Sequence, residues 1–157
     1  MMDIIKLSLH DYENVQELSS EELYRLISEI SDIEEVLPAL NELYRRNSEQ
    51  AIILGKKILE NNEGDEYLQA SVVEFIFEYD KQYVVDFTKK NIAVMHWYIY
   101  VCVLNCFSME SNQNFEEKLS QGFIKTVLNK YNYYENKERD QIKEAYELFL
   151  KSYSNTI

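Results

Sequence analysis

Glycine and proline are almost missing from this chain, with three glycines and one proline in 157 residues. Strand-rich folds use both residues at their tight turns, so the scarcity argues for helices joined by short polar connections. Cysteine occurs twice, at Cys102 and Cys106. Four residues apart on one helix face, the two are poorly placed for a disulfide, and reduced thiols fit a cytoplasmic protein. Histidine also occurs twice, at His10 and His96. Neither follows a glutamate by three residues, which excludes the Glu-x-x-His motif of di-iron bundles. The two cysteines have no further ligands at zinc spacing. No Gly-x-Ser-x-Gly elbow is present, and Gly55, Gly64 and Gly122 are too scattered for a phosphate loop. A chain with 28 acidic residues always offers carboxylate pairs of the glycosidase kind, but none stands out. The expectation is a protein with no enzymatic activity, no cofactor and no metal.

Basic residues are outnumbered, 16 against 28 acidic, for a net charge of −12. Such a surface repels nucleic acid phosphate and anionic lipid. It suits cations or basic proteins, or serves solubility alone. Long apolar runs are missing as well. No stretch approaches the roughly 20 residues of a membrane span, and Met1 to Lys6 lacks the basic-then-apolar pattern of a signal peptide. What remains, 46% apolar and 28% charged, is the composition of one globular domain over residues 1–157.

Helical punctuation is clear. Ser19 followed by Glu22 is a capping-box pattern, and Leu23, Leu26, Ile27 and Ile30 follow at helical spacing. Ser31-Asp32-Ile33-Glu34 opens a second helix with Val36, Leu37, Leu40, Leu43 and Tyr44, and places Pro38 near its first turn, where a missing N–H costs little. Ser48 opens a third helix with Ala51, Ile52, Leu54, Ile58 and Leu59. Asn61 to Asp65 is the clearest turn, with Gly64 suited to positive φ and Asp65 to a cap. A fourth helix carries Leu68, Val72, Phe75, Ile76 and Tyr79. Asp80 caps a fifth with Tyr83, Val84, Phe87 and Ile92. A sixth runs from about Ala93 to Phe107, a polar loop covers Ser108 to Asn114, a seventh helix carries Leu119 to Leu128, and the last spans about Lys137 to Tyr153. Phe75 to Phe77 and Trp97 to Val103 also have strand-favouring composition, and a short strand pair there is the alternative.

Gln50-Ala51-Ile52-Ile53 aligns with Gln82-Tyr83-Val84-Val85 at an offset of 32 residues. The same offset pairs Leu40 with Val72, Glu42 with Glu74 and Leu43 with Phe75. Helices two and three are thus echoed by four and five, with a weaker third copy in six and seven. A two-helix period of this length marks a helical solenoid, with an irregular bundle as the alternative. Over Ser31 to Tyr131 the apolar positions and the Asn/Asp turn resemble a degenerate HEAT-type repeat. The resulting fold expectation is all-α, with stacked antiparallel helix pairs in a HEAT-like α-solenoid of seven to eight helices. In size, charge and architecture the chain is also similar to bacterial immunity proteins. These are the antidotes of polymorphic or contact-dependent growth inhibition toxins.

The chain has 13 tyrosines, more than the core stripes need. Tyr67, Tyr79, Tyr83, Tyr98, Tyr131, Tyr133 and Tyr134 are candidates for partial exposure, where a tyrosine gives contact area at low entropic cost. Mixed with carboxylates they suit a basic protein surface. The candidate contacts are Glu63, Asp65, Glu66, Glu74, Glu78, Asp80 and Asp86, with Tyr67, Tyr79 and Tyr83 as aromatic anchors. The immunity resemblance implies a cognate toxin domain with a basic cleft, a nuclease, as partner. The alternative is a cytoplasmic scaffold or adaptor using the same surface reversibly. A third reading is a ligand pocket near Trp97 and Tyr100. His96, beside Trp97, reads as a packing or surface residue.

Overall fold

The computed structural model describes residues 12–30, 32–109 and 119–155, with side chains from residue 15. His10, Ser31 and the 110–114 part of the expected polar loop lie outside the described residues. The fold is all-α, built from stacked helix pairs; among the described residues there are eight α-helices and no strand. These are α1 (Ser20–Glu29), α2 (Ile33–Arg46), α3 (Ser48–Glu60), α4 (Glu66–Tyr79), α5 (Lys81–Asn91), α6 (Trp97–Met109), α7 (Gln121–Lys130) and α8 (Asn136–Ser152). Short 3₁₀ turns cover Tyr12–Glu17, Ile92–Val94 and Tyr131–Tyr133. Phe75 to Phe77 and Trp97 to Val103 are helical, because each lies inside a helix long enough for its core-facing side to pack.

The chain divides into two compact units, Met1–Tyr79 and Asp80–Ile157. In the first, α1 packs on α2, α2 on α3, α3 on α4, and α4 also on α2. Helix starts follow the sequence signals. Ser19 and Glu22 form a reciprocal capping box and Asp32 caps α2 through the Glu34 N–H; at α3 the cap is Asn47, which accepts from the Gln50 N–H, rather than the expected Ser48, which is the first helical residue. Leu23, Leu40, Leu43 and Val72 are fully buried. Gly64 closes the α3–α4 turn at φ +73, and a Cβ there would meet the Leu68 side chain at 2.6 Å. Gln69 fastens the same turn through Asn62 Oδ1 and the Glu63 carbonyl.

A charged latch holds the start of this unit. Arg46, at the end of α2, donates to the carbonyls of Leu18 (2.7 Å) and Gln16 (3.0 Å) and pairs with Glu42 at 2.8 Å. Glu42 is buried and also takes Arg45. The Arg45 guanidinium holds the Glu42 carboxyl below its ordinary value, against burial pushing the other way and with Arg46 adding to the lowering.

In the second unit α8 is the main partner of α6, and α6 also meets α7, with which the sequence pairs it, through side chains: the Phe107 and Phe123 rings are edge-to-face at 5.8 Å. Tyrosine hydroxyls pin this unit. Tyr100 donates to the Val127 carbonyl at 2.6 Å and Tyr134 to the Met95 carbonyl at 2.7 Å. Val127 is in the last turn of α7, where carbonyls have no helical donor of their own. Tyr131 stacks on Tyr146 with ring centroids 4.1 Å apart.

Four local expectations change. α6 starts at Trp97 rather than Ala93, because Met95 is extended and His96 acts as the cap, its Nδ1 accepting from the Tyr98 N–H at 3.1 Å. Ser108 remains helical and buried, donating to the Leu104 carbonyl. Tyr134 is buried, since its hydroxyl is used on Met95. Pro38 is the sixth residue of α2, not part of its first turn. It has no N–H to give to the Glu34 carbonyl, which therefore loses its helical donor.

Candidate functional site

Charge divides with the two units. Residues 1–79 hold 18 acidic and 6 basic residues, and residues 80–157 hold 10 of each, so the first unit carries the entire net charge of −12 and the second is balanced. The ten candidate contacts divide too. Glu63, Asp65, Glu66, Tyr67, Glu74, Glu78 and Tyr79 belong to the acidic unit, and Asp80, Tyr83 and Asp86 to the neutral one.

Local structure explains several of these carboxylates. Asp65 caps α4 through the Leu68 N–H at 2.8 Å, and Asp80 caps α5 through that of Tyr83 at 3.1 Å. Asp86 accepts from Gln82 one turn earlier on α5. Glu66 is in the first turn of α4, where a negative side chain suits the helix dipole. Tyr83 and Glu63 are half-buried.

Glu74 and Glu78 are different. Both are exposed, one turn apart on α4, and like charges at that spacing repel. Glu78 is in the last turn, which contains no basic residue. An anion there opposes the negative end of the helix dipole. Helix stability therefore argues against both carboxylates.

They stand beside an exposed apolar face formed by α2 and α4. Among the described residues, six large apolar side chains of the first unit are exposed, and four of these, Ile33, Tyr44, Tyr67 and Tyr79, lie on the two helices. Tyr44 meets Phe75 and Tyr79 edge-to-face, with centroids 5.7 and 6.1 Å away. This is the favoured geometry for the ring quadrupoles. It ties three aromatic rings into one patch next to Glu74 and Glu78. Tyr67 and Tyr79 are half exposed, at 55% and 51%.

At the other end of the same face is an open cleft of about 430 Å³. From α2 it is lined by Ile33, Glu34, Leu37, Pro38 and Asn41, and from α4 and its cap by Asp65, Tyr67, Leu68 and Ser71. Glu34 and Pro38 share this wall. α4 contains no Lys or Arg, and those of α2 are Arg45 and Arg46 at its far end, both engaged with Glu42.

Ile33, Tyr44 and Phe75 were not among the sequence candidates. Tyr44 and Phe75 belong to the apolar stripes that the sequence predicts as core, whereas the structure leaves Tyr44 exposed and Phe75 half-buried. The available signal was the width of the α2 stripe, since Val36, Leu40 and Leu43 already fill the buried side and leave Leu37 and Tyr44 at its margin. Of the tyrosines expected at the surface in the second unit, Tyr98 and Tyr133 are exposed and Tyr131 is half-buried. Tyr100 is fully buried beneath its bond to Val127.

Among the described residues no group of three or more His, Cys, Asp or Glu side chains could hold a metal ion, and no helix is long and apolar enough to cross a membrane. The chain matches no family model, no curated protein and no solved structure.

Proposed function

We propose that this chain is an immunity protein, a stoichiometric inhibitor that binds a basic bacterial toxin domain in the cytoplasm through the α2–α4 face and acts without catalysis. The observation that carries the reading is the Glu74–Glu78 pair. Two exposed carboxylates persist where mutual repulsion disfavours both and the helix dipole disfavours Glu78. They border an exposed aromatic patch in the unit that holds all the net negative charge. Residues that oppose local stability point to function, and a basic partner supplies the missing compensation. The carboxylates would draw in Lys and Arg, while Tyr44 and Tyr79 would supply buried area. A nuclease fits best, because an active cleft built for nucleic acid is basic.

The test is co-expression with the C-terminal domain of the protein encoded immediately upstream. Rescue of growth, with nanomolar and salt-sensitive binding lost in Glu74→Lys/Glu78→Lys, supports the proposal. An active toxin domain that is neither bound nor neutralised would overturn it and leave a reversible helical adaptor as the better reading.

A further inference from the structure

We propose that the α2–α4 cleft accepts one bulky apolar side chain from a basic segment of the partner, whose neighbouring Lys or Arg residues sit on the cleft's acidic rim. This rests on reading the α2–α4 face as the partner surface and adds the chemistry of what that surface recognises. The cleft has an apolar lining in Ile33, Leu37, Pro38 and Leu68, with Tyr67 as a further wall. Its volume, about 430 Å³, is ample for an aromatic or branched aliphatic side chain, and it is open to solvent rather than closed around a small molecule. An anchor seated in such a pocket and ringed by polar contacts is the usual centre of a tight protein interface.

Charge sets the flanking residues. Glu34 and Asp65 edge the cleft, α4 adds Glu66, and no basic residue of α2 or α4 is nearer than the Arg45–Arg46 pair at the far end of α2. An acidic segment would be repelled there, whereas a basic one is attracted. Apolar lining and acidic rim thus specify one ligand chemistry, a large apolar residue bracketed by cations. From Tyr67 the aromatic patch at Tyr79 is roughly 18 Å along α4, by the helical rise, so a longer basic segment can occupy both.

The test uses the full chain and two synthetic peptides, acetyl-Gly-Lys-Arg-Phe-Lys-Arg-amide and its Phe-to-Gly counterpart of equal charge. Binding is followed by amide chemical shifts in NMR titration. The expected result is saturable shifts at Ile33 to Asn41 and Tyr67 to Ser71 with the Phe peptide, and at least tenfold weaker binding of the Gly peptide. Tyr67→Ala and Ser71→Trp, which remove one wall and fill the cleft, should each weaken the Phe peptide at least tenfold with unchanged helical circular dichroism. Tyr133→Ala, an exposed tyrosine of the second unit, should leave binding unchanged. Equal binding of both peptides, shifts located elsewhere, or no binding overturns the proposal. Growth rescue by a chain whose cleft ignores the Phe peptide would overturn this inference alone. Cleft binding without growth rescue would overturn the toxin reading alone.

Discussion

Tyr153 donates its hydroxyl to the backbone carbonyl of Phe107 at 2.6 Å, across 46 residues of sequence. Phe107 is in the last turn of α6, so this bond ties the end of α8 to the end of α6. Tyr153→Phe should keep the ring packing against Phe149 and lose about 1 kcal/mol of stability, read from the urea midpoint. Tyr100→Phe should behave likewise through Val127. No change in either variant would mean that these hydroxyls exchange one partner for water without cost.

The same tyrosines make the protein sensitive to alkali. Burial pushes the Tyr100 and Tyr134 hydroxyls well above the usual tyrosine range. The folded chain keeps protons that the unfolded chain releases near the ordinary value of 10.0. Their contribution is complete below that pH and is lost as pH rises beyond it. Thermal melts from pH 8 to 11 should show a falling midpoint above about pH 10, from the unperturbed tyrosine pKa, and a smaller fall in the Tyr100→Phe/Tyr134→Phe chain.

Glu42 acts at the opposite end of the scale. Its carboxyl is held below the ordinary 4.5, first by Arg45. The unfolded chain takes up this proton at a higher pH than the folded one does. The stabilisation is therefore complete above the ordinary value and is lost as pH falls through the lower folded value. Wild-type stability should drop on acidification more steeply than that of Glu42→Gln, which starts lower at pH 7. Parallel pH curves for the two would rule out the latch as the source.

Glu78→Lys should raise stability by a few tenths of a kcal/mol, because it removes the repulsion with Glu74 and places a cation at the end of α4. The same substitution should abolish partner capture. Gain in one assay with loss in the other separates a functional carboxylate from a structural one. A destabilised Glu78→Lys chain would show that the carboxylate serves the fold.

Ile30 closes α1 at φ 46 and Gly64 closes the α3–α4 turn at φ 73. A β-branched residue is strained in the left-handed region, whereas glycine is at ease there. Ile30→Gly should therefore stabilise by up to about 1 kcal/mol, and Gly64→Ala should destabilise by at least about that amount. Equilibrium unfolding of both variants checks the opposite signs together.

Most of the fold was legible because its punctuation is local. Ser19, Asp32, Asp65 and Asp80 each sit where a helix begins, and each reaches a backbone N–H within three residues. Long-range choices were less legible. The repeat offset pairs Leu40 with Val72, and both are fully buried, but it also pairs Glu42 with Glu74. One is buried against two arginines and the other is exposed. Register in sequence did not carry environment, because partners 28 to 30 residues away, Leu18 and Gln16, decide where Arg46 and hence Glu42 go. The candidate site was legible by composition and not by position. Tyr67, Tyr79, Glu74 and Glu78 fall on the exposed face of α4, while Asp65 and Asp80 spend an oxygen on helix starts. Ile33 was passed over because one apolar residue at a helix start looks like any other until α4 is laid beside it.

The charge imbalance between the two halves of the sequence has a kinetic consequence. With twelve surplus negative charges in residues 1–79 and none in residues 80–157, the long-range pull on a positively charged body originates in the first unit alone. Encounters are then enriched at the unit bearing α2 and α4, and added salt should slow capture by screening that pull.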